Sequence, residues 1–478
     1  MTTTEDRVDA GEIADFWSIL RQDVWHDLGE GSDGGSAVKE ETNVASAAGI
    51  AGRVRALRRA AGMTQVDLAD GRFTKQYVSQ IERGEVIPSD ELLAWLAERL
   101  GVEPMLIATG LSAADLERVE RDLAAGQALL DEHRYLDAIE LFRPLRQSLG
   151  AEAPRWAYRG AIRGETWALI RLGRVTEAAE LLGEARVTAE AGTGTTDEQA
   201  EIAYLTAVCC YTLSTMAAAH VEFARALTLL DEAEVPSDGL RSDIYQWRSR
   251  CYRRQRDWEA AREDIDRSLE LVEALDDSRR SAEVNLQASL VAERQGRWML
   301  ARRYAETSRD LFAAVGDTVT MARVLNNVGG LNHLLGDDDT AIPQLQEAFA
   351  IFVDAQLQAE AGYVLSSLAE IYRERGELAE AEAVAQRALA LLEGRIDHVQ
   401  ELGTAQLVLA RAHLGQGDLE QAEGVLADVD ESYALTESIS HQARSWMVRG
   451  ELELLRENET EAARLYREAA TALQPTDI

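Results

Sequence analysis

Residues 363–393 read YVLSSLAEIYRERGELAEAEAVAQRALALLE. Gly376 divides the stretch, and the small residues Ala381 and Ala388 follow it seven positions apart. Seven residues are nearly two helical turns, so both alanines share one face, where a second helix can cross closely. The stretch therefore reads as helix, turn, helix. The same spacing recurs at Ala178 and Ala185, Ala219 and Ala226, Ala261 and Ser268, Ala301 and Ser308, Ala341 and Ala348, and Ala462 and Ala469. Ala138 and Ala422 keep the first small residue, with Leu145 and Val429 at the second. Successive first members lie 40, 41, 42, 40, 40, 40, 41 and 40 residues apart, a regularity that defines nine units over residues 115–475. Glycine stands five positions before the first alanine at Gly173, Gly296, Gly336, Gly376 and Gly417.

A chain of 478 residues exceeds one ordinary core, and a repeat array grows without enlarging its core. With seven prolines and abundant Ala, Leu, Glu and Arg, the expected fold class is all-α. No long uncharged apolar run or signal peptide is present, so a cytoplasmic location with no membrane partner is expected. Cys209, Cys210 and Cys251 are too few for a disulfide framework and read as small buried hydrophobes.

The net charge of −35 argues against a nucleic-acid partner until its distribution is followed. Residues 1–48 carry net −8 and residues 49–104 are neutral. Within the latter, residues 53–83 hold seven basic and three acidic groups. That stretch also has the order of helix signals that a DNA-reading bundle needs. Gly62 closes a first helix, Thr64 with Asp67 caps a second, Thr74 caps a third, and Pro88-Ser89 introduce a fourth. Arg-x-x-Arg, GMTQ-x-x-LA, TKQYVSQIERG and Pro-Ser together resemble the XRE family, the Cro and phage-repressor type of helix-turn-helix.

The resemblance implies that Lys75 and Gln76 open the reading helix and reach base edges, with Gln80 one turn on. It implies phosphate contacts from Thr64, Gln65, Thr74, Tyr77, Ser79 and Arg83, and a buried tie between Arg58 and Glu82. Asp70–Phe73 form a turn one residue shorter than the family's usual one, which bears on the tilt of the reading helix.

The repeats resemble tetratricopeptide repeats, whose usual period is 34; six more residues imply longer helices or longer loops. The resemblance implies a right-handed superhelix with a concave inner surface. Its inward positions correspond to Arg323, Asn326, Asn327 and His333 in one repeat and to Tyr363, Ser366, Ser367, Glu370 and Arg373 in the next. Gln246, Arg250 and Arg253 line an earlier repeat, and Arg411 continues the surface. Asparagine both donates to and accepts from a peptide backbone, so Asn326 and Asn327 are the leading ligand contacts. Trp247, Trp258, Trp298 and Trp446 fall at helical packing positions and read as core.

The expected organisation is therefore an acidic arm (1–48) with a short amphipathic helix at residues 11–28, a helix-turn-helix (49–104), and a repeat domain (105–478). This architecture resembles the RRNPP group of peptide-responsive regulators. It implies a homodimer that binds double-stranded DNA and a peptide, small molecule or protein partner in the groove. The last repeat, with Leu465 and Tyr466, is the expected dimer contact. A scaffold whose helix-turn-helix is secondary is the alternative. Neither Lys39 nor Lys75 follows a phosphate-binding glycine loop, and no catalytic or zinc motif occurs, so no enzyme activity, cofactor or metal is expected.

Overall fold

The computed structural model describes residues 47–149, 154–193, 195–233, 237–392, 399–434 and 439–472. The arm helix expected at residues 11–28 lies outside them. Among the described residues there are 23 α-helices, one π-helical turn and no strand. The chain divides into two compact units that meet in sequence at Leu240 and Arg241.

The first unit begins with five short helices: α1 (Ala47–Ala60), α2 (Gln65–Ala69), α3 (Lys75–Glu82), α4 (Asp90–Leu100) and α5 (Pro104–Thr109). Val54, Leu68, Val78, Ile81, Leu96 and Ile107 form their common core. Ile107 is fully buried there, so the apolar cluster runs past residue 104 into α5. Three hairpins follow: α6 (Ala113–Asp131) with α7 (Tyr135–Ser148), α8 (Arg155–Arg171) with α9 (Val175–Thr188), and α10 (Thr196–Thr212) with α11 (Met216–Glu232).

The second unit holds six hairpins. They pair α12 (Asp238–Arg254) with α13 (Trp258–Glu273), α14 (Ser278–Arg294) with α15 (Trp298–Ala314), and α16 (Thr318–Leu334) with α17 (Asp338–Asp354). Next come α18 (Gln358–Glu374) with α19 (Leu378–Leu392), α20 (Val399–Gln416) with α21 (Leu419–Ala434), and α22 (Ile439–Leu455) with α23 (Glu459–Ala472).

The helices account for the long period. Helices α14 to α17 each have 17 residues and are joined by three-residue turns, and this alternation closes at 40 residues. Each hairpin turn ends the first helix and swings through the left-handed region before the second helix begins. The left-handed position is Gly173, Gly296, Gly336, Gly376 or Gly417 where glycine occurs, and His133, Ser214, Arg256 or Glu457 where it does not. In the turn at Gly336, the Asp337 N–H donates to the Asn332 carbonyl at 2.9 Å, and the Asp337 carboxylate accepts from the Thr340 N–H at 3.3 Å. The first of these bonds has equivalents from Arg134 to Leu129 through Asn458 to Glu453, all at 2.8–2.9 Å.

Close packing within and between hairpins rests on glycines that face large side chains. A Cβ on Gly126 or Gly164 would fall 2.4 or 2.3 Å from the Phe142 ring, and one on Gly403 would fall 2.2 Å from Tyr433. The final hairpin packs in the same way. Leu465 is buried within its own hairpin, and Tyr466, half-buried, lies against Gly450.

The left-handed turn position makes opposite predictions for two substitutions. Gly336→Ala should destabilise the protein by roughly 1–2 kcal/mol, since a Cβ is strained at φ 79°. Arg256→Gly, at φ 61°, relieves that strain against a backbone-entropy cost of about 0.5–1 kcal/mol and should be neutral or mildly stabilising. Urea unfolding of both variants decides this, and equal losses would show that the turn conformation is not the constraint.

Candidate functional site

Two sets of polar residues stand out, one in each unit. In the helix bundle, Thr64 accepts from the Asp67 N–H at 3.2 Å while Asp67 accepts from the Thr64 N–H at 2.8 Å, the expected capping box of α2. Thr74 caps α3 by accepting from the Tyr77 N–H at 3.1 Å. Between these caps the short turn takes two successive left-handed residues, Asp70 and Gly71. Arg58 forms a two-armed pair with Glu82, and Glu82 also accepts from Gln65 at 2.9 Å. Burial pushes the Glu82 carboxyl up, but hydrogen bonds from Arg58 and Gln65 outweigh it and hold the group below the usual carboxylate range. Gln65, expected at a phosphate, is thus tied to the internal pair that braces α3.

Lys75 and Gln76 are exposed on the first turn of α3, where the helix N-terminus also offers unpaired amides. Ser79, Tyr77 and Gln80 are half-buried. Arg83 is exposed and pairs with Glu85 at 3.1 Å, a contact worth little in water. The basic groups divide by role. Arg53 donates to the carbonyls of Ile107 and Ala108 at the end of α5, and Arg58 is internal. Arg72 pairs with Glu91 and lies over Phe73 and Trp95. Arg55, Arg59 and Lys75 remain exposed.

In the second unit, the first helix of each hairpin leaves a polar stripe where its apolar contacts end. On α16, Ala322, Val324, Leu325, Val328 and Leu331 enter the apolar clusters, leaving Arg323, Asn326, Asn327, Gly330 and His333 at helical spacing. The 40-residue period puts Asp243, Glu283, Arg323 and Tyr363 at one level of this stripe and Trp247, Gln287, Asn327 and Ser367 at the next. Arg253, Glu293, His333 and Arg373 form a third level. Trp247 therefore belongs to the stripe, with the Arg250 guanidinium 4.2 Å from its ring centroid. Glu283, Gln287 and Glu293, buried on α14, are stripe residues that no motif in the sequence marks. The 40-residue offset from Asp243, Trp247 and Arg253 is the signal that finds them.

Most charges on the stripe neutralise one another across hairpins. Arg280 bonds Asp243 at 2.8 Å, and Arg323 bonds Glu360 at 3.2 Å. A longer chain of ions spans four hairpins. His333 meets Asp338 at 2.6 Å through Nδ1 and Glu374 at 2.9 Å through Nε2. Arg373 joins Glu374 to Glu370 at 3.2 and 2.8 Å, and Arg411 bridges Glu370 to Glu451 at 2.9 and 3.0 Å. Arg323, Arg373 and Arg411 are thus held by carboxylates of the protein itself. Ser366 and Ser367 donate to the carbonyls of Gly362 and Tyr363 on their own helix.

The amides differ. Asn326 is 1% exposed, and neither its Nδ2 nor its Oδ1 has a hydrogen-bond partner among the described residues. The Gln287 Oε1 and the Arg250 Nε are buried in the same condition on neighbouring hairpins. A buried amide with both ends unsatisfied costs free energy, so these groups mark where the fold leaves hydrogen-bonding capacity unused.

Burial pushes the His333 imidazole pKa down, but the hydrogen bonds it donates to Glu374 and Asp338 outweigh it and raise the pKa above the ordinary histidine value. The stabilisation of the cation is fully present below the unfolded pKa and is lost as pH rises through the raised folded value. Wild-type stability relative to His333→Gln should therefore shrink as pH rises from the unfolded histidine value of about 6.5 through the raised folded value. Unfolding free energies of both proteins across that range check this; a constant difference would mean that His333 does not titrate there.

Residues 54–107 match the helix-turn-helix family, and residues 280–352, 363–393 and 404–478 match tetratricopeptide repeat families. No curated protein matches the chain in sequence. Similar folds occur in solved structures. RapI in its apo form is 12% identical, with a TM-score of 0.56 over 74% of this chain and 97% of that one. The apo quorum sensor NprR from B. thuringiensis is 12% identical, with a TM-score of 0.54 over 75% and 99%. A Rap protein complexed with Competence and Sporulation Factor is 16% identical, with a TM-score of 0.52 over 74% and 97%. The chain carries an XRE-type helix-turn-helix domain followed by tetratricopeptide repeats.

Proposed function

We propose that this protein is a transcription regulator that reads double-stranded DNA through α3 and responds to a peptide or small polar ligand held on the stripe of its repeats. Exposed Lys75 and Gln76 at the capped start of α3 support the DNA reading, since helix-turn-helix proteins present this turn to base edges. Thr64, Thr74 and Tyr77 lie beside the helix N-termini, where phosphates are favoured. Arg55 and Arg59 add exposed positive charge beyond the residues of the family motif.

The observation that carries the ligand reading is the unsatisfied amide of Asn326. A peptide backbone supplies the acceptor and the donor that this group lacks. The Rap protein solved in complex with Competence and Sporulation Factor supports a bound factor as the kind of occupant. Two half-sites give an operator its affinity, so the regulator acts as a homodimer on an inverted repeat. Its site of action is the cytoplasm, and no helix among the described residues is long and apolar enough to cross a membrane.

On its operator, Gln76→Ala should cost roughly 1–3 kcal/mol and change binding to scrambled DNA little. Lys75→Ala and Arg59→Ala should reduce the salt dependence as well. Anisotropy titrations at two salt concentrations measure both effects, and salt-independent binding to every fragment would refute the DNA reading. For the ligand, Asn326→Leu removes an unsatisfied amide and should stabilise the free protein by about 1–3 kcal/mol while abolishing its response to effector. Thermal melts, together with operator binding in the small-molecule fraction of a culture supernatant, test the pair of effects. A variant that is destabilised and still responds like wild type would place the ligand elsewhere.

A further inference from the structure

The second unit carries a recess that shares no side chain with the polar stripe. It holds about 620 Å³ and is lined by Arg256 and Arg262 of the α12–α13 hairpin, by Arg297 of the α14–α15 hairpin, and by Trp258. Trp258, whose spacing reads as core, is only half-buried. Asp257 and Glu259 also line the recess, but the Asp257 carboxylate is engaged in accepting from the Ala260 N–H at 3.1 Å. Elsewhere an arginine in the place of Arg297, directly before the second helix of a hairpin, is matched by an acid three residues on. Arg134 donates to Asp137 at 2.8 Å, and Arg174 pairs with Glu177. Residue 300 is leucine, so Arg297 has no such acid. The Arg256 and Arg297 guanidiniums have no hydrogen bond or ion pair among the described residues, and Arg262 reaches Asp266 at 4.0 Å. The imbalance is local. Residues 294–303 hold four arginines and no acid, whereas the equivalent residues 334–343 hold three acids and no base, and residues 374–383 hold four acids and one base.

We propose that this recess binds a phosphorylated small molecule with a planar ring, a nucleotide in chemical class, its phosphate held by Arg256, Arg262 and Arg297 and its ring by Trp258. A carboxylate ligand brings one charge and suits one guanidinium fork. A phosphate monoester brings about −1.5 to −2 at neutral pH and three acceptor oxygens, which suits several guanidiniums at once. An indole that forms part of the wall gives a planar ring a face to stack on, and the Arg294 guanidinium, 5.9 Å from the Trp258 ring centroid, adds positive charge beside it. The volume lies within the range of about 300–1,000 Å³ usual for small-molecule sites. Because its arginines come from two successive hairpins, the ligand bridges them. Gln295 Nε2 already joins the same two hairpins by donating to the Trp258 carbonyl at 3.2 Å.

The test is isothermal titration calorimetry of the full chain with adenosine monophosphate and with inorganic phosphate as the probes. Both should bind saturably, the nucleotide about tenfold more tightly because only it has a ring to stack. Arg256→Gly and Arg297→Ala should each weaken both probes about tenfold or more. Arg256→Gly relieves the strain at its left-handed position, and Arg297 is exposed, so folding is not at stake in either variant, which thermal melts confirm. Trp258→Leu should weaken the nucleotide and leave inorganic phosphate unchanged. Arg467→Ala removes the same charge from an exposed position of the last hairpin and should change neither affinity. Asn326→Leu, on the stripe, should also leave both unchanged. No binding of either probe at millimolar concentration would overturn the proposal, as would a nucleotide bound no more tightly than inorganic phosphate. Equal losses in Arg467→Ala would reduce the effect to overall charge, and loss of nucleotide binding in Asn326→Leu would move the ligand to the stripe; either result overturns the site.

Discussion

A single backbone bond in the hairpin turns sets the geometry on which the rest of the repeat domain depends. The residue after the left-handed position donates back to a carbonyl in the last turn of the preceding helix, at 2.8–2.9 Å in each of the nine hairpins described. This fixes a three-residue connection, and with 17-residue helices it fixes a 40-residue period. A constant period then delivers equivalent positions of successive first helices to the same level. Without it, Trp247, Gln287, Asn327 and Ser367 would not fall at one height, and no stripe could form. The bond uses only backbone atoms, which is why His133, Ser214, Arg256 and Glu457 can stand where glycine is preferred.

Charge in the bundle is organised differently. Arg53 and Arg58 are occupied in holding α5 and α3, leaving Arg55, Arg59 and Lys75 to face outward. An acidic protein can thus keep a locally basic surface without changing its overall sign. Field strength near a phosphate is decided within about a Debye length of ~8–10 Å, so the distant excess of carboxylates weighs little there.

The fold class, the hairpin unit, the caps at Thr64 and Thr74 and the Arg58–Glu82 tie were all legible in the sequence, because each depends on residues close together in the chain or on a repeated interval. What escaped was set by pairing between distant positions. Arg323 and Arg411 read as ligand contacts, since an arginine's sequence neighbours do not disclose that a carboxylate about 40 residues away will hold it. Gln65 read as a phosphate contact because only geometry brings it to Glu82. Leu465 reads as a contact at a free end, whereas it is buried within the last hairpin. The choice between longer helices and longer loops was also open, since period alone does not divide residues between them.

The ions that join successive hairpins also make the repeats non-interchangeable. In their alanines and turns the units look like copies, and a recombination event that removed one period would leave that pattern undisturbed. It would not leave the charges undisturbed. Glu370, Arg411 and Glu451 alternate in sign at equivalent positions. Loss of the unit carrying Arg411 would bring Glu451 to the place beside the buried Glu370 and set two carboxylates against each other. The unit carrying Arg411 is therefore held in the array by sign as much as by stacking.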